Sequence, residues 1–182
     1  MAYRADIFRT IILQKSTIPT CYIDLDICFI KPMDTLFEKY DSFCYEWDKS
    51  NEPFCVNTAI LYSNGSDKIR NIFHNILIHS DPYPLIGFLY KNPYIENITV
   101  LNKELFDLFW CGNNPTICKY ITNQLGERSF DIFFKTHNNS QNVATYLKQH
   151  SFVYHWHNRW KTKINKNSVA YWFAKDVGLQ IN

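Results

Sequence analysis

No stretch of this sequence stays apolar over the roughly 18 residues that a bilayer-crossing helix needs, so no transmembrane segment is expected. The first residues, Met1-Ala2-Tyr3-Arg4-Ala5-Asp6, carry charge where a signal peptide needs an apolar stretch. With neither leader nor anchor encoded, a cytoplasmic location is the default expectation. Positive charge is not in excess either: 19 basic and 17 acidic residues leave a net charge of +2, which gives no reason to expect nucleic acid as a partner. Lys161, Lys163 and Lys166 form the one notable basic cluster and read as solvated surface, with a phosphate-facing loop as the alternative. Cys-x-x-Cys pairs and Cys/His zinc spacings are also missing. The six cysteines, at 21, 28, 44, 55, 111 and 118, read as free, partly buried thiols. Cys111 and Cys118 flank a turn, which leaves one disulfide conceivable.

What is present suits a single globular domain over residues 1–182, since 46 % of residues are hydrophobic and 20 % charged. Aromatic residues reach 17 %. They bury large areas in cores and also stack on sugar rings or bases, and composition does not choose between those uses. Periodicity predicts a helix over 4–14 with Ile7, Phe8, Ile11 and Ile12 on its apolar face. It predicts a buried strand over 21–30, short strands over 42–46, 54–62 and 98–101, and a helix over 67–79 capped at Ser66 or Asp67. Residues 111–140 read as loop-rich. A helix over 141–150, a strand over 152–157 and a helix over 168–177 that stops at Gly178 complete the order. Strands alternating with helices predict an α/β fold.

Asp24 and Asp26 are two carboxylates in an otherwise apolar run. On a strand they would share one side, about 7 Å apart. At an effective dielectric near 20, like charges at that distance repel by roughly 2 kcal/mol, and burial adds a desolvation cost. A cation against them removes the repulsion, and oxygen ligands suit Mn²⁺ or Mg²⁺. The carboxyl end of a parallel strand is where α/β sheets bind ligands. A turn cap or a pairing with lysines is the plainer alternative for an isolated Asp-x-Asp.

This Asp-x-Asp is accompanied. Ala5-Asp6-Ile7-Phe8-Arg9 precedes Tyr22-Ile23-Asp24-Leu25-Asp26, and Val153-Tyr154-His155-Trp156-His157-Asn158-Arg159-Trp160 follows late in the chain. Together these segments resemble the Asp-x-Asp glycosyltransferases of GT-A fold. The resemblance is to the retaining α-1,6-mannosyltransferase and α-1,4-galactosyltransferase type and to the glucosylating clostridial toxins. Asp34, in Lys31-Pro32-Met33-Asp34, fits the continuation after the strand, and Phe54-Cys55-Val56-Asn57-Thr58-Ala59 resembles the next segment. Thr20-Cys21 stands where the family has a glycine pair, and no Thr-Gly-Pro motif occurs near residues 84–88. The family usually carries a strand–helix region before the Asp-x-x-Arg helix that cradles the nucleotide base. The resemblance therefore implies a GT-A core without those N-terminal strands, as a fragment, a minimal enzyme or a degenerate relative.

The resemblance implies metal-dependent transfer of a hexose from a UDP- or GDP-sugar to a hydroxyl of a glycan, lipid or protein acceptor, with retention. It implies Asp24, Asp26 and His155 as metal ligands, with His157 competing for the last place, and Mn²⁺ or Mg²⁺ as the ion. Asp24 and Asp26 would carry the catalysis; Asp6, Arg9, Tyr22 and Asn57 would bind substrate. Each has a plainer reading. Asp6 and Arg9, three apart on a helix, fit a surface ion pair worth a few tenths of a kcal/mol. Either histidine fits an ordinary strand position. Two rival functions stand beside the transferase. One is a sugar- or nucleotide-binding relative without catalysis. The other is a metal phosphohydrolase, which would need more clustered His and Asp ligands than this sequence offers.

Overall fold

The computed structural model describes residues 2–46, 56–79, 97–107, 115–126, 130–157 and 161–180. In chain order its elements are α1 (Ala2–Lys15), β1 (Thr20–Ile23), β2 (Ile27–Phe29), α2 (Asp34–Lys39), β3 (Ser42–Glu46), β4 (Val56–Ser63), α3 (Asp67–Ile78), β5 (Thr99–Leu101), α4 (Pro115–Leu125), α5 (Ser140–His150), β6 (Val153–His155) and α6 (Val169–Asp176). Short 3₁₀ turns cover Lys103–Leu105 and Phe130–Phe134. The class is mixed α/β with both parallel and antiparallel pairing. Among the described residues no helix is long and apolar enough to cross a membrane.

The chain forms two compact units. The first comprises Met1–Leu25 and Met33–Asn102; the second comprises Asp26–Pro32 and Lys103–Asn182. The first is built on a sheet of order β1-β4-β3-β5, with β3 and β5 parallel and the other pairs antiparallel. Alternation along β3 sends Cys44 to one face and Phe43 and Tyr45 to the other. Cys44 joins Leu13 of α1, Leu61 of β4 and Ile69, Ile72, Phe73 and Ile76 of α3 in one buried cluster. Phe43 packs with Tyr62 and with Phe37 of α2. α3 starts where expected: the Ser66 hydroxyl accepts from the Ile69 amide at 3.4 Å. The turn before it contains Gly65 at φ +78°, where a Cβ would meet the Ile18 backbone at 2.7 Å.

The second unit pairs β2 with β6 antiparallel, Ile27 opposite His155. Its core gathers Ile121 and Leu125 of α4, Ile132, Phe133 and Phe134 of the 3₁₀ turn, Val143 and Leu147 of α5, Tyr154, Trp156 and Phe173. α6 begins with the Ser168 hydroxyl accepting from the Tyr171 amide and stops at Gly178, which has φ +75°.

Three expectations change. The single strand over 21–30 is two strands in two sheets, broken at Asp24-Leu25-Asp26, so neither aspartate lies on a strand. The half-buried Asp24, the buried Asp26 and the 94 %-exposed Leu25 between them break the apolar run where a strand would bury every second side chain. Second, α1 faces inward with Asp6, Arg9, Thr10 and Leu13, while Phe8 is 60 % exposed and Ile11 and Ile12 sit at the surface. That buried stripe has helical spacing, and its polar groups are hydrogen-bonded, which makes their burial tolerable. Third, the loop-rich stretch contains α4 and a 3₁₀ turn. The described cysteines Cys21, Cys28 and Cys44 are free, while Cys55, Cys111 and the Cys118 side chain fall outside the described residues, as do residues 84–88 and 158–160. Lys161, Lys163 and Lys166 are exposed, as a solvated cluster should be.

Candidate functional site

In the first unit the chemistry centres on Arg9. Its Nε donates to the Ala5 carbonyl, and one terminal nitrogen donates to both the carbonyl and the hydroxyl of Thr58. The other terminal nitrogen lies 3.1 Å from Asp6 and 3.7 Å from Asp24. Nε and one terminal nitrogen thus donate to protein acceptors, and the other terminal nitrogen faces two carboxylates. The guanidinium also covers the Tyr22 ring at 4.4 Å, and the Tyr22 hydroxyl donates to Asp24 Oδ1 at 2.7 Å.

The fold supplies the acceptors through an irregularity. Pairing between β3 and β4 loses register between Phe43 and Tyr45, and the Asn57-Thr58-Ala59 stretch of β4 departs from a regular ladder there. Asn57 Oδ1 accepts the Ala59 amide at 2.8 Å, the Ala59 carbonyl accepts the Asp24 amide at 2.8 Å, and the Thr58 carbonyl is left for Arg9. Asn57 is buried, and its Nδ2 has no hydrogen-bond partner among the described residues. Burial raises the pKa of Asp6; Arg9 opposes that rise and the charge of Asp24 adds to it. Burial, followed by the bond to Asp24, lifts Tyr22 to about 12, so Tyr22 remains a donor at every physiological pH. The Asp6–Arg9 pair is not the surface ion pair of the plainer reading, because both side chains are largely buried.

In the second unit His155 is the centre. Period-two alternation places Tyr154 and Trp156 in the helical core and turns His155 the other way. Asp26 is clamped there: its carbonyl accepts the Trp156 amide at 2.8 Å, and its Oδ1 lies 3.4 Å from His155 Nε2. On the opposite side of the ring, Asp107 Oδ2 lies 3.7 Å from His155 Nδ1 and 2.8 Å from His157 Nε2. The two imidazoles stack with centroids 3.9 Å apart. Asp26, Asp107 and His155 are all buried. Asp107 reaches this place because the 3₁₀ turn Lys103–Leu105 is pinned: the Leu105 carbonyl accepts from the Phe152 amide and the Ser151 hydroxyl, just before β6. Burial alone would lower the pKa of His155, but the pull of Asp107 and Asp26 overcomes it and holds the group at about 9.

The structure therefore gathers Asp6, Arg9, Tyr22 and Asp24 in one unit, with Asn57 next in sequence to the Thr58 that receives Arg9, and joins Asp26 to His155 in the other. Asp107 was missed. Its only sequence signal is an acid inside the apolar run Leu105-Phe106-Asp107-Leu108-Phe109, the same signal that marked Asp24 and Asp26. Thr58 gave no signal.

Asp26 and His155, a carboxylate and an imidazole both buried and side by side, are groups able to ligate a metal ion. Asp107, His155 and His157 also offer atoms within 4.8 Å of one another, and Asp107 Oδ1 is buried with no hydrogen-bond partner among the described residues. No protein-family model matches the chain, and no curated protein matches it in sequence.

Proposed function

We propose that the chain is a metal-dependent glycosyltransferase of GT-A type. It would move a hexose from a UDP- or GDP-sugar to an acceptor hydroxyl on a glycan, lipid or protein, with retention. The observation that carries this reading is the meeting of Asp26 with His155. They come from opposite ends of the sequence, the motif resemblance names both as ligands, and they lie side by side and buried. Asp26 and His155 would hold Mn²⁺ or Mg²⁺, and the ion would neutralise charge on the diphosphate leaving group. Arg9 keeps Asp6 and Asp24 fixed in orientation, and Tyr22 holds Asp24 from its other side. Fixed geometry of this kind is what a transferase needs to align an anomeric carbon with an acceptor.

One observation favours a binding relative without catalysis: the donors of Arg9 are directed inward, so it has little left for a phosphate. Release of nucleoside diphosphate across a panel of UDP- and GDP-sugars separates the two readings. The transferase reading expects Mn²⁺-dependent release that disappears in Asp26→Ala. Donor binding with no release supports the binding relative. Release that persists unchanged in Asp26→Ala removes this site from the reaction.

A further inference from the structure

We propose that Asp107 is the positioning residue of the cation site: its carboxylate holds the Nδ1–H of His155 and thereby directs the Nε2 lone pair to the ion beside Asp26. The inference rests on the metal reading above and adds to it a residue that the motif resemblance does not name.

The geometry excludes the simpler idea that Asp107 is itself a ligand of the same ion. An imidazole has two nitrogens whose in-plane lone pairs diverge. Asp26 lies at Nε2 and Asp107 at Nδ1, so one ion at Nε2 cannot also reach Asp107. A separate ion held by Asp107, His155 and His157 meets another obstacle. The two rings are stacked at 3.9 Å with only 22° between their planes. Lone pairs in nearly parallel planes do not converge on one ion as a tetrahedral or octahedral site demands. Both rings nonetheless bring a nitrogen to the Asp107 carboxylate, His155 Nδ1 at 3.7 Å and His157 Nε2 at 2.8 Å from Oδ2.

Histidine ligands usually donate their second nitrogen to a carboxylate, which fixes ring orientation and strengthens the metal-bound nitrogen. Asp107 is placed for that task. It is 2 % exposed, and its own amide is tied to the Lys103 carbonyl at 2.6 Å. Its Oδ2 is shared between the two histidines, while Oδ1 has no hydrogen-bond partner among the described residues. A small turn of the carboxylate would give one oxygen to each ring. His157 adds a second sign of constraint. It holds φ +48°, a left-handed conformation that a residue with a Cβ adopts at a cost. In that conformation its Nε2 meets Asp107.

The test uses the full chain with ¹⁵N-labelled histidine, Mn²⁺ for calorimetry and Cd²⁺ as a diamagnetic substitute for NMR. With Cd²⁺ bound, His155 should show a protonated Nδ1 and a metal-bound Nε2. Asp107→Asn should lower Mn²⁺ affinity about 10- to 100-fold and remove the fixed Nδ1–H signature. Asp107→Glu should recover part of the affinity. The measurement on the unmutated chain decides the matter even if a variant fails to fold: Cd²⁺ on Nδ1 with a proton on Nε2 overturns the proposal. Unchanged affinity and unchanged tautomer in Asp107→Asn overturn it while leaving Asp26 and His155 as ligands. Failure of the unmutated chain to bind either ion overturns both the proposal and the metal reading beneath it.

Discussion

The Arg9 and His155 clusters solve the same problem differently. Each buries acids around a nitrogen base. Arginine carries a permanent charge, and Arg9 spreads it over Asp6, Asp24 and Thr58, so that cluster is complete in itself. His155 meets Asp26 and Asp107 with a charge that depends on its proton. A cluster balanced by arginine is structural at all working pH values. One balanced by histidine can exchange its proton for a metal ion. The comparison separates a scaffold for carboxylates from a place where chemistry can change.

Removing the cation should hurt the first cluster most. Arg9→Met leaves Asp6 buried without its partner and Thr58 without its donor. Breaking a buried pair from one side costs about 3–5 kcal/mol, read as a drop in the urea midpoint. A loss below about 1 kcal/mol would show that Arg9 is not the keystone described here.

The second cluster should respond to pH instead. The folded pKa of His155 is about 9, above its usual 6.5. Its contribution to stability is therefore fully present below pH 6.5 and lost as pH rises through about 9. In the metal-free chain the denaturation midpoint should fall across that window, with a slope of at most roughly 1.4 kcal/mol per pH unit. His155→Gln should flatten the profile. A metal-free profile that is already flat over the window would mean that His155 is not held charged by its two acids.

The smallest effect is expected at a pair that looks like Asp6 and Arg9 in sequence. Asp67 and Arg70 have the same Asp-x-x-Arg spacing and form an ion pair on α3, but Asp67 is 86 % exposed. Asp67→Asn should shift stability by only a few tenths of a kcal/mol. A loss comparable to that of Arg9→Met would show that spacing, and not burial, sets the strength of such pairs.

Local patterns made much of the fold legible. The strand at 42–46, the helix from Asp67 with its Ser66 cap, the helix near 141–150 and the stop at Gly178 all follow from periodicity, capping and a glycine free to adopt positive φ. The candidate site was legible in part. Asp24, Asp26 and His155 stood out because acids in apolar runs and a late histidine segment are visible one residue at a time. α4 was missed in a stretch with few regular cues, and Asp107 because its partners lie far along the chain.

The sequence by itself determined the mixed α/β class, most element positions and the residues able to carry charge into the interior. Only the tertiary structure decided which charges are buried. Hydrophobic periodicity put Ile7, Phe8, Ile11 and Ile12 on the inner face of α1, yet Asp6, Arg9, Thr10 and Leu13 lie inward. The physical reason is that burial of a polar stripe depends on its hydrogen-bond partners. Those partners, Thr58 at the irregular stretch of β4 and Asp24 at the end of β1, come from distant parts of the chain. One Asp-x-x-Arg pair is buried on α1 and another lies at the surface on α3, because only the fold brings those acceptors to the first.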